Sequence, residues 1–311
     1  MKTIRIHEYG DASVLRYEDA PMPSYAADEV LIRVIATSVN PVDWKIRQGH
    51  LREMIPYRMP FIPGWDVSGV VDAVGADAKR FNVGDAVYSR PDIERDGTYA
   101  EYVAVRESEV AAKPRNISHI EAGVLPLAGI TAWEALVTVG KIQPGQRVLV
   151  HAAAGGVGSL AVQIAKAHGA YVVASASAQH QLLVESLGAD EFIDYRRQTL
   201  RESTHNINLV FDTVGGATQD ESWQVMAANG LLVSIVSDPT TAAKMWPQLR
   251  GEFLFIKPNA VVLAQLAHLV ERGKLRAVIG AEFALRDIQH AHALSETGHA
   301  TGKIALYVGQ P

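Results

Sequence analysis

The chain has 311 residues, of which 48% are hydrophobic and 20% charged, and a formal net charge of -5 at pH 7. This composition is typical of globular proteins, and it offers no basic surplus to attract nucleic acid or an anionic membrane, so neither is expected as a partner. The absence of cysteine excludes disulfides, thiolate catalysis and cysteine-bound zinc. A chain of this length is expected to form two hydrophobic cores.

The N-terminal part of the chain is predicted to be mostly β. Residues 1–6 alternate like a strand and do not form the apolar core of a signal peptide. Since no apolar run reaches the length of a membrane span either, a cytoplasmic location is expected. Short β-like segments follow, separated by turns rich in glycine, proline and aspartate: 30–36, 67–74, 85–88 and 99–105.

From about residue 130 helices and strands alternate, which predicts an α/β fold with a doubly wound parallel sheet. The predicted helices are 130–138, 159–168, 178–187 and 219–228, and the predicted strands are 147–151, 171–175, 191–193, 209–211 and 231–236. Helices at 260–272 and 285–296 and a strand at 303–308 follow. We therefore expect a mostly-β domain at 1–125, a dinucleotide-binding domain at 126–258 and a return to the first domain at 259–311, with a cleft between the two.

A glycine-rich turn follows the predicted strand 147–151. Ala153, Gly155 and Gly158 have the A-x-G-x-x-G spacing that lets the backbone approach a pyrophosphate and lets the next helix pack closely on the strand. The alternative is an ordinary strand-to-helix turn, but a second predicted strand after the helix favours a dinucleotide cradle. The candidate binding residues of this turn are Ala154, Gly155, Gly156 and Val157.

The end of the second predicted strand indicates which cofactor is bound. Domains selective for NAD place an acidic side chain about 20 residues beyond the glycine turn, where it accepts hydrogen bonds from the ribose hydroxyls. Here the strand ends with Ser175, Ala176 and Ser177. A 2′-phosphate would meet hydroxyl donors and no carboxylate, so NADPH is the expected cofactor.

Short motifs along the whole chain resemble those of the medium-chain dehydrogenase/reductase superfamily. Within it the chain is most similar to the zinc-independent quinone oxidoreductases and alkenal/enone reductases, which combine a GroES-like β domain with a Rossmann domain and use NADPH. The motifs, besides the glycine turn, are NPVDWK (40–45), PGWDVSG (63–69), VGD (83–85), GTYAEY (97–102), GITAW (129–133), SLGAD (186–190), FDTVGG (211–216) and GKI (302–304).

The resemblance implies further cofactor contacts. The chain has His180 where the relatives place a lysine near the 2′-phosphate, and Tyr195 where they place a tyrosine. Simpler interpretations remain open: Thr131 could be a helix cap, and Lys45 and His180 could be solvated surface residues. The remaining positions implied to lie along the cofactor are Asn40, Lys45, Thr131, Thr213, Val214, Gly215, Ile235 and Val236.

The residues at the family's zinc positions argue against a metal. Zinc-dependent relatives have a cysteine where this chain has Asn40, and a His-Glu pair where it has Trp65 and Asp66. His290 and His292 are two residues apart on a predicted helix and therefore point to different faces. Without a Lewis acid, reduction of an electrophilic conjugated system is favoured over alcohol oxidation.

The resemblance therefore implies hydride transfer to a small, uncharged quinone or enone. Water is the expected proton source, because no paired carboxylates or Ser/His/Asp arrangement is present. Asp43 and Asp66 are expected to be structural, with Asp66 holding a turn or pairing with a nearby base. The candidate donors to the acceptor oxygen are Asn40, Tyr57, Trp65 and Tyr88.

Two other functions remain open from the sequence. One is an enoyl-thioester reductase, which would use basic residues such as Arg47, Arg52 and Arg58 to hold a phosphopantetheine. The other is a protein that binds NADPH without significant turnover. A homodimer is also expected, because the apolar strand 230–236 near the sheet edge and the segment 252–256 after it would need a cover.

Overall fold

The structure, a computed structural model, describes residues 1–308. The chain divides into two compact units, the first formed by residues 1–127, 257–272 and 277 onward, the second by 128–256 and 273–276. In chain order the strands are β1 (Lys2–Arg5), β2 (Arg16–Asp19), β3 (Glu29–Val39), β4 (Val67–Val74), β5 (Ala86–Ser89), β6 (Tyr102–Arg106), β7 (Val110–Ala112), β8 (Arg147–Val150), β9 (Tyr171–Ala176), β10 (Glu191–Asp194), β11 (Ile207–Asp212), β12 (Met226–Ser234), β13 (Arg250–Phe253), β14 (Ile279–Ala284) and β15 (Lys303–Tyr307).

Several helices are only one or two turns long. None within residues 1–308 has the length and apolar character needed to cross a membrane. The α-helices are α1 (Pro41–Arg47), α2 (His119–Gly123), α3 (Pro126–Trp133), α4 (Gly158–Ala167), α5 (Gln181–Ser186), α6 (Leu200–Ser203), α7 (Gly216–Ser222), α8 (Thr240–Ala243), α9 (Ala260–Glu271) and α10 (Ile288–Glu296).

The second unit contains a six-stranded, wholly parallel sheet in the order β10-β9-β8-β11-β12-β13. Numbered within the unit, this is the 3-2-1-4-5-6 order of dinucleotide-binding folds, with its reversal of direction between β8 and β11. The doubly wound sheet predicted from the alternating pattern is confirmed. Its central strands β8, β9 and β11 are buried on both faces, as the apolar runs indicated, and Leu149, Val173, Val210 and Leu232 lie in one core cluster.

The first unit is mostly β, also as predicted. Its larger sheet has the order β14-β15-β3-β4-β5-β7, with β6 pairing with β3 as well, and β1 and β2 form a separate hairpin sheet. The C-terminal strand β15 pairs antiparallel with β3 through Val39, Ser38, Thr37 and Ala36. The last strand of the chain therefore completes a sheet that begins near residue 29.

The predicted elements differ from the structure in several places. The helix predicted at 219–228 ends at Ser222, and Met226 already pairs with Ile207 in the sheet, because Trp223 and Val225 pack into the core. The helix predicted from Ile130 begins at Pro126 and continues as a π-helical turn. Helix α1 and strand β14 were not predicted, since both are short and have weak periodicity.

Candidate functional site

The glycine turn lies after β8, at the switch point of the parallel sheet. Ala152 adopts a φ of 46°, and its carbonyl oxygen accepts the N–H of Gly155 at 2.8 Å. A Cβ on Gly158 would collide with that same oxygen, so only glycine fits at the start of α4. Within residues 1–308 the N–H groups of Gly156, Val157 and Gly158 have no protein acceptor. This arrangement fits the pyrophosphate of a dinucleotide.

The neighbouring strand β11 ends in a second tight turn. The Asp212 carboxylate is fully buried and accepts the N–H groups of Val214 at 2.9 Å and Gly215 at 2.8 Å. Thr213 Oγ1 donates to the carbonyl of His151 at 2.9 Å, which ties this turn to the glycine turn. Thr213, Val214 and Gly215 therefore lie beside the cradle, at the carboxyl edge of the sheet.

The end of β12 lies at the same edge. The strand ends at Ser234, whose hydroxyl donates to Asp212 Oδ2 at 2.8 Å, and Ile235 and Val236 follow in a bend. These two residues are therefore beyond the strand predicted at 231–236. Their position is compatible with the cofactor contact that the resemblance implies.

The candidates at the end of β9 fall into two groups. Ser175 is buried and its hydroxyl is 2.8 Å from Nδ1 of His151, so this side chain has a partner inside the sheet, and its contact with a cofactor stays a prediction. Ser177 has no side-chain partner within residues 1–308. Tyr195 is half exposed, and its N–H donates to Ala176 at 3.4 Å. Ser177, Tyr195 and the partly exposed His180 thus surround the tip of β9, where no carboxylate follows the strand.

His151 is a residue whose role the sequence did not indicate. It is completely buried, with Nδ1 near Ser175 Oγ and Nε2 near Ser222 Oγ, both at 2.8 Å. Burial lowers its pKa, which keeps the imidazole neutral. The ring therefore links β8, β9 and α7 and fixes the base of the glycine turn.

In the first unit, Asn40 belongs to a buried polar network and not to an open site. Its Nδ2 donates to Asp66 Oδ2 at 2.8 Å, and its Oδ1 accepts from Lys303. Asp66 also accepts from Ser38 Oγ at 2.5 Å and from the N–H of Leu127 at 2.6 Å. Each end of its amide thus has a partner inside the first unit, and the expected catalytic and cofactor roles of Asn40 stay predictions. The prediction that Asp66 pairs with a nearby base is confirmed, and that base is Lys303.

Two of the remaining candidate donors lie inside the first unit. Tyr88 is fully buried and its hydroxyl donates to the carbonyl of Leu263, so this donor is engaged inside the unit, and its catalytic role stays a prediction. The Trp65 ring is also fully buried, although its indole N–H has no partner within residues 1–308. The Trp65 ring is therefore part of the core of the first unit.

Tyr57 is the candidate donor nearest to the surface. Its ring stacks on Phe61 with centroids 4.1 Å apart and lies 6.2 Å from the ring of Trp65. Its hydroxyl donates to the carbonyl of Ile93 at 2.6 Å. Burial raises the pKa of Tyr57 far above its usual value, so the phenol stays protonated with its hydrogen bond committed.

A second buried chain of hydrogen bonds begins at Asp43. Tyr99 Oη donates to Asp43 Oδ2 at 2.6 Å and lies 3.3 Å from Nε2 of His292, whose Nδ1 is 3.2 Å from Arg47 Nη1. Arginine can only donate, so His292 carries its proton on Nε2. Burial raises the pKa of Asp43 to about 7 and lowers that of His292 to about 3. Arg47 Nη2 forms an ion pair with Glu296 Oε1 at 2.6 Å.

Lys45 and Thr131 are the last two candidates. Lys45 Nζ lies 5.7 Å from the Trp44 ring centroid and forms no ion pair within residues 1–308, so it is available to an anion. Thr131 is buried in the middle of α3, because that helix begins at Pro126. The interpretation of Thr131 as a helix cap is therefore wrong.

No group of three His, Asp or Glu side chains in the described part of the chain is arranged to hold a metal ion. His290 is exposed and His292 is buried, so the two residues occupy different faces of α10, as their spacing predicted.

Family models, related proteins and solved structures all match this chain, and they agree on the kind of protein. Family models for an alcohol dehydrogenase GroES-like domain and a zinc-binding dehydrogenase match residues 26–115 and 187–306. The chain is 37% identical over 318 residues to a chloroplastic NADPH-dependent alkenal/one oxidoreductase of Arabidopsis thaliana, covering 99% of this chain and 79% of that protein. It is 34% identical over 322 residues to the chloroplastic quinone oxidoreductase QR1 of Triphysaria versicolor, covering 98% of each. The solved quinone oxidoreductase of Coxiella burnetii has a TM-score of 0.93 at 34% identity, over 99% of both chains.

The switch-point glycine turn and the mostly-β unit together define an oxidoreductase that uses a nicotinamide cofactor. The chain belongs to the medium-chain dehydrogenase/reductase superfamily, in its zinc-independent group of quinone and alkenal oxidoreductases. The family and the fold class predicted from the sequence motifs are confirmed.

Proposed function

We propose that this protein transfers a hydride from NADPH to quinones or α,β-unsaturated carbonyl compounds without zinc. The observation that carries the proposal is the glycine turn, with its three free N–H groups, beside a strand end that has hydroxyls and no carboxylate. The names of the relatives, an NADPH-dependent alkenal/one oxidoreductase and two quinone oxidoreductases, support the same reaction. The cytoplasmic location stays a prediction.

The second unit supplies the groups for the cofactor. The N–H groups of Gly156, Val157 and Gly158 would hold the pyrophosphate, and Ser177, His180 and Tyr195 would surround the 2′-phosphate. His180 is a weaker phosphate partner than a lysine, because a neutral imidazole carries no charge. When bound, NADPH supplies the hydride.

The alternatives are less well supported. An enoyl-thioester reductase would use Arg47 at the entrance of its site, but Arg47 is fully buried and paired with Glu296. Arg52 and Arg58 remain exposed. We therefore infer small acceptor substrates, with the proton supplied by water.

A steady-state assay of NADPH oxidation with quinones, enones and enoyl-thioesters, each with and without a chelator, tests the proposal. We expect turnover with quinones or enones that the chelator does not change. Turnover of thioesters alone would indicate the acyl reductase, and tight NADPH binding without any turnover would indicate the binding protein. Activity lost to the chelator and restored by zinc would contradict the metal-free mechanism.

A further inference from the structure

Arg90 is a buried arginine without a partner. It follows β5 directly and is 2% exposed. Within residues 1–308 it forms no hydrogen bond and no ion pair, and its Nε is fully shielded from solvent. Leaving a buried charge uncompensated is strongly unfavourable, so a structural role does not account for this side chain.

The other buried arginine of the same unit shows the usual arrangement. Arg47 donates through Nε to the carbonyl of Gly10 at 3.1 Å, through Nη1 to His292 at 3.2 Å and through Nη2 to Glu296 at 2.6 Å. Every nitrogen of Arg47 is satisfied. Arg90 has none of these contacts, although it is buried to nearly the same degree.

The acidic groups around Arg90 are engaged elsewhere. Asp92 and Glu109 both pair with Arg106, each at 3.4 Å, and Asp66 pairs with Lys303. These carboxylates favour the charged form of Arg90, whereas burial lowers its pKa. Since arginine stays protonated in proteins, Arg90 is a cation that no carboxylate of the described residues contacts directly.

A second unused donor lies close by. The indole N–H of Trp65 is buried without a partner, and the Trp65 ring is 6.2 Å from that of Tyr57. Tyr57 in turn donates to Ile93, three positions after Arg90. Only Nε of the Arg90 guanidinium is completely shielded, so its terminal nitrogens keep the side chain's small accessible area. Tyr57 and Arg90 are close enough to interact electrostatically, so both free donors lie in the neighbourhood of Tyr57.

We propose that Arg90 binds the carbonyl oxygen of the quinone or enone and stabilises the negative charge that develops on it. This rests on the proposed function. When a hydride adds to the β-carbon of an enone, the C=C electron pair shifts toward the carbonyl and its oxygen becomes an oxyanion; a proton from water then completes the two-electron reduction. The Arg90 guanidinium is already in place and has no acceptor among the described residues, so it is a preorganised donor for this oxyanion.

The test uses Arg90→Met and Arg90→Lys, with Arg47→Met as the matched control. Arg90→Met should lower kcat/KM for the best acceptor by about 100- to 1000-fold, while its thermal midpoint stays equal to or above that of the wild type, because an unpaired charge is removed. Arg90→Lys keeps the charge and should retain part of the activity. Arg47→Met should lower the thermal midpoint, because it strands Glu296 and His292.

A binding readout separates this inference from the proposed function. Benzoate should raise the thermal midpoint of the wild type, and its neutral counterpart benzamide should not; Arg90→Met should abolish the benzoate effect. Wild-type kcat/KM in Arg90→Met, an unchanged benzoate response, or a loss of stability or solubility like that of Arg47→Met would overturn the role of Arg90. If the wild type reduces no acceptor, the proposed function fails, and the benzoate arm still decides whether Arg90 binds anions.

Discussion

Lys303 Nζ lies 3.3 Å from Asp66 Oδ2, and both side chains are almost completely buried. The pair joins the first residue of β15 to the segment just before β4. Lys303 also donates to Asn40, so one ammonium group holds both the acid that was expected to pair with a base and an amide that was expected to contact the cofactor.

Replacing Lys303 by methionine should destabilise the protein by about 3–5 kcal/mol, because Asp66 would keep a buried charge without its cation. Urea unfolding at neutral pH measures this change. Lys2→Met is the control, since Lys2 and Asp19 form an exposed pair and its loss should have little effect. Equal losses of unfolding free energy in Lys303→Met and Lys2→Met would contradict the assignment of Lys303 as the buried partner of Asp66.

His292 makes stability depend on pH. The folded state keeps the ring neutral, with a pKa of about 3 against 6.5 for an unperturbed histidine, because of burial and the neighbouring Arg47. Its contribution is therefore complete above pH 6.5 and is lost as the pH falls toward 3. His292→Gln can accept from Arg47 and donate to Tyr99 without titrating. As the pH falls, the free energy of unfolding of the wild type should decrease by up to about 1.4 kcal/mol per pH unit relative to this variant. If the difference in unfolding free energy between the wild type and His292→Gln does not change between pH 6.5 and 4, this role of His292 is contradicted.

His180→Lys should tighten NADPH binding by about tenfold, because an ammonium forms a charge-assisted hydrogen bond with the 2′-phosphate. NADH affinity should hardly change, and the wild type itself should prefer NADPH. Nucleotide fluorescence titrations measure both constants. Thr241→Lys adds the same charge on α8 and should affect neither cofactor. An equal gain for NADH and NADPH in His180→Lys would show that position 180 does not face the phosphate.

We propose a homodimer formed through the edge of the parallel sheet. The strand 230–236 was expected near this edge, with the segment 252–256 as a strand or a cover. In the structure β13 pairs with β12 and is the edge strand, and Phe253 and Phe255 are each 45% exposed. Light scattering should give twice the 33.7 kDa mass of one chain. Phe255→Asp should release folded monomers, whereas Leu182→Asp, at another exposed apolar position, should not. A wild-type monomer at every concentration would exclude this interface.

Local sequence patterns predicted most of the fold of the second unit. The spacing of Ala153, Gly155 and Gly158 is a steric requirement of one turn, and alternating helices and strands allow few arrangements other than a parallel sheet. The candidate donors of the first unit were harder to predict. Asn40 occurs in a family-like motif and Tyr88 does not, but for both residues the direction of the polar atoms depends on partners distant in the chain.

Arg90 and Lys303 illustrate the same limit. Nothing in the sequence distinguishes a basic residue with a buried partner from one without, because the distinction depends on which carboxylates pack nearby. Asp66 carried the only available signal, as an acid expected to find a base. Its partner is 237 positions away, beyond the reach of any periodicity or spacing rule.

The pairing of β15 with β3 also fixes an order of events during synthesis. A growing polypeptide presents residues 36–39 with an open strand edge, and Asp66 without its cation, until the segment 303–307 leaves the ribosome. The parallel sheet, made from strands between residues 147 and 253, can close earlier. The first unit is thus begun first and completed last, and during that interval its unpaired strand edge is open to pairing with other chains.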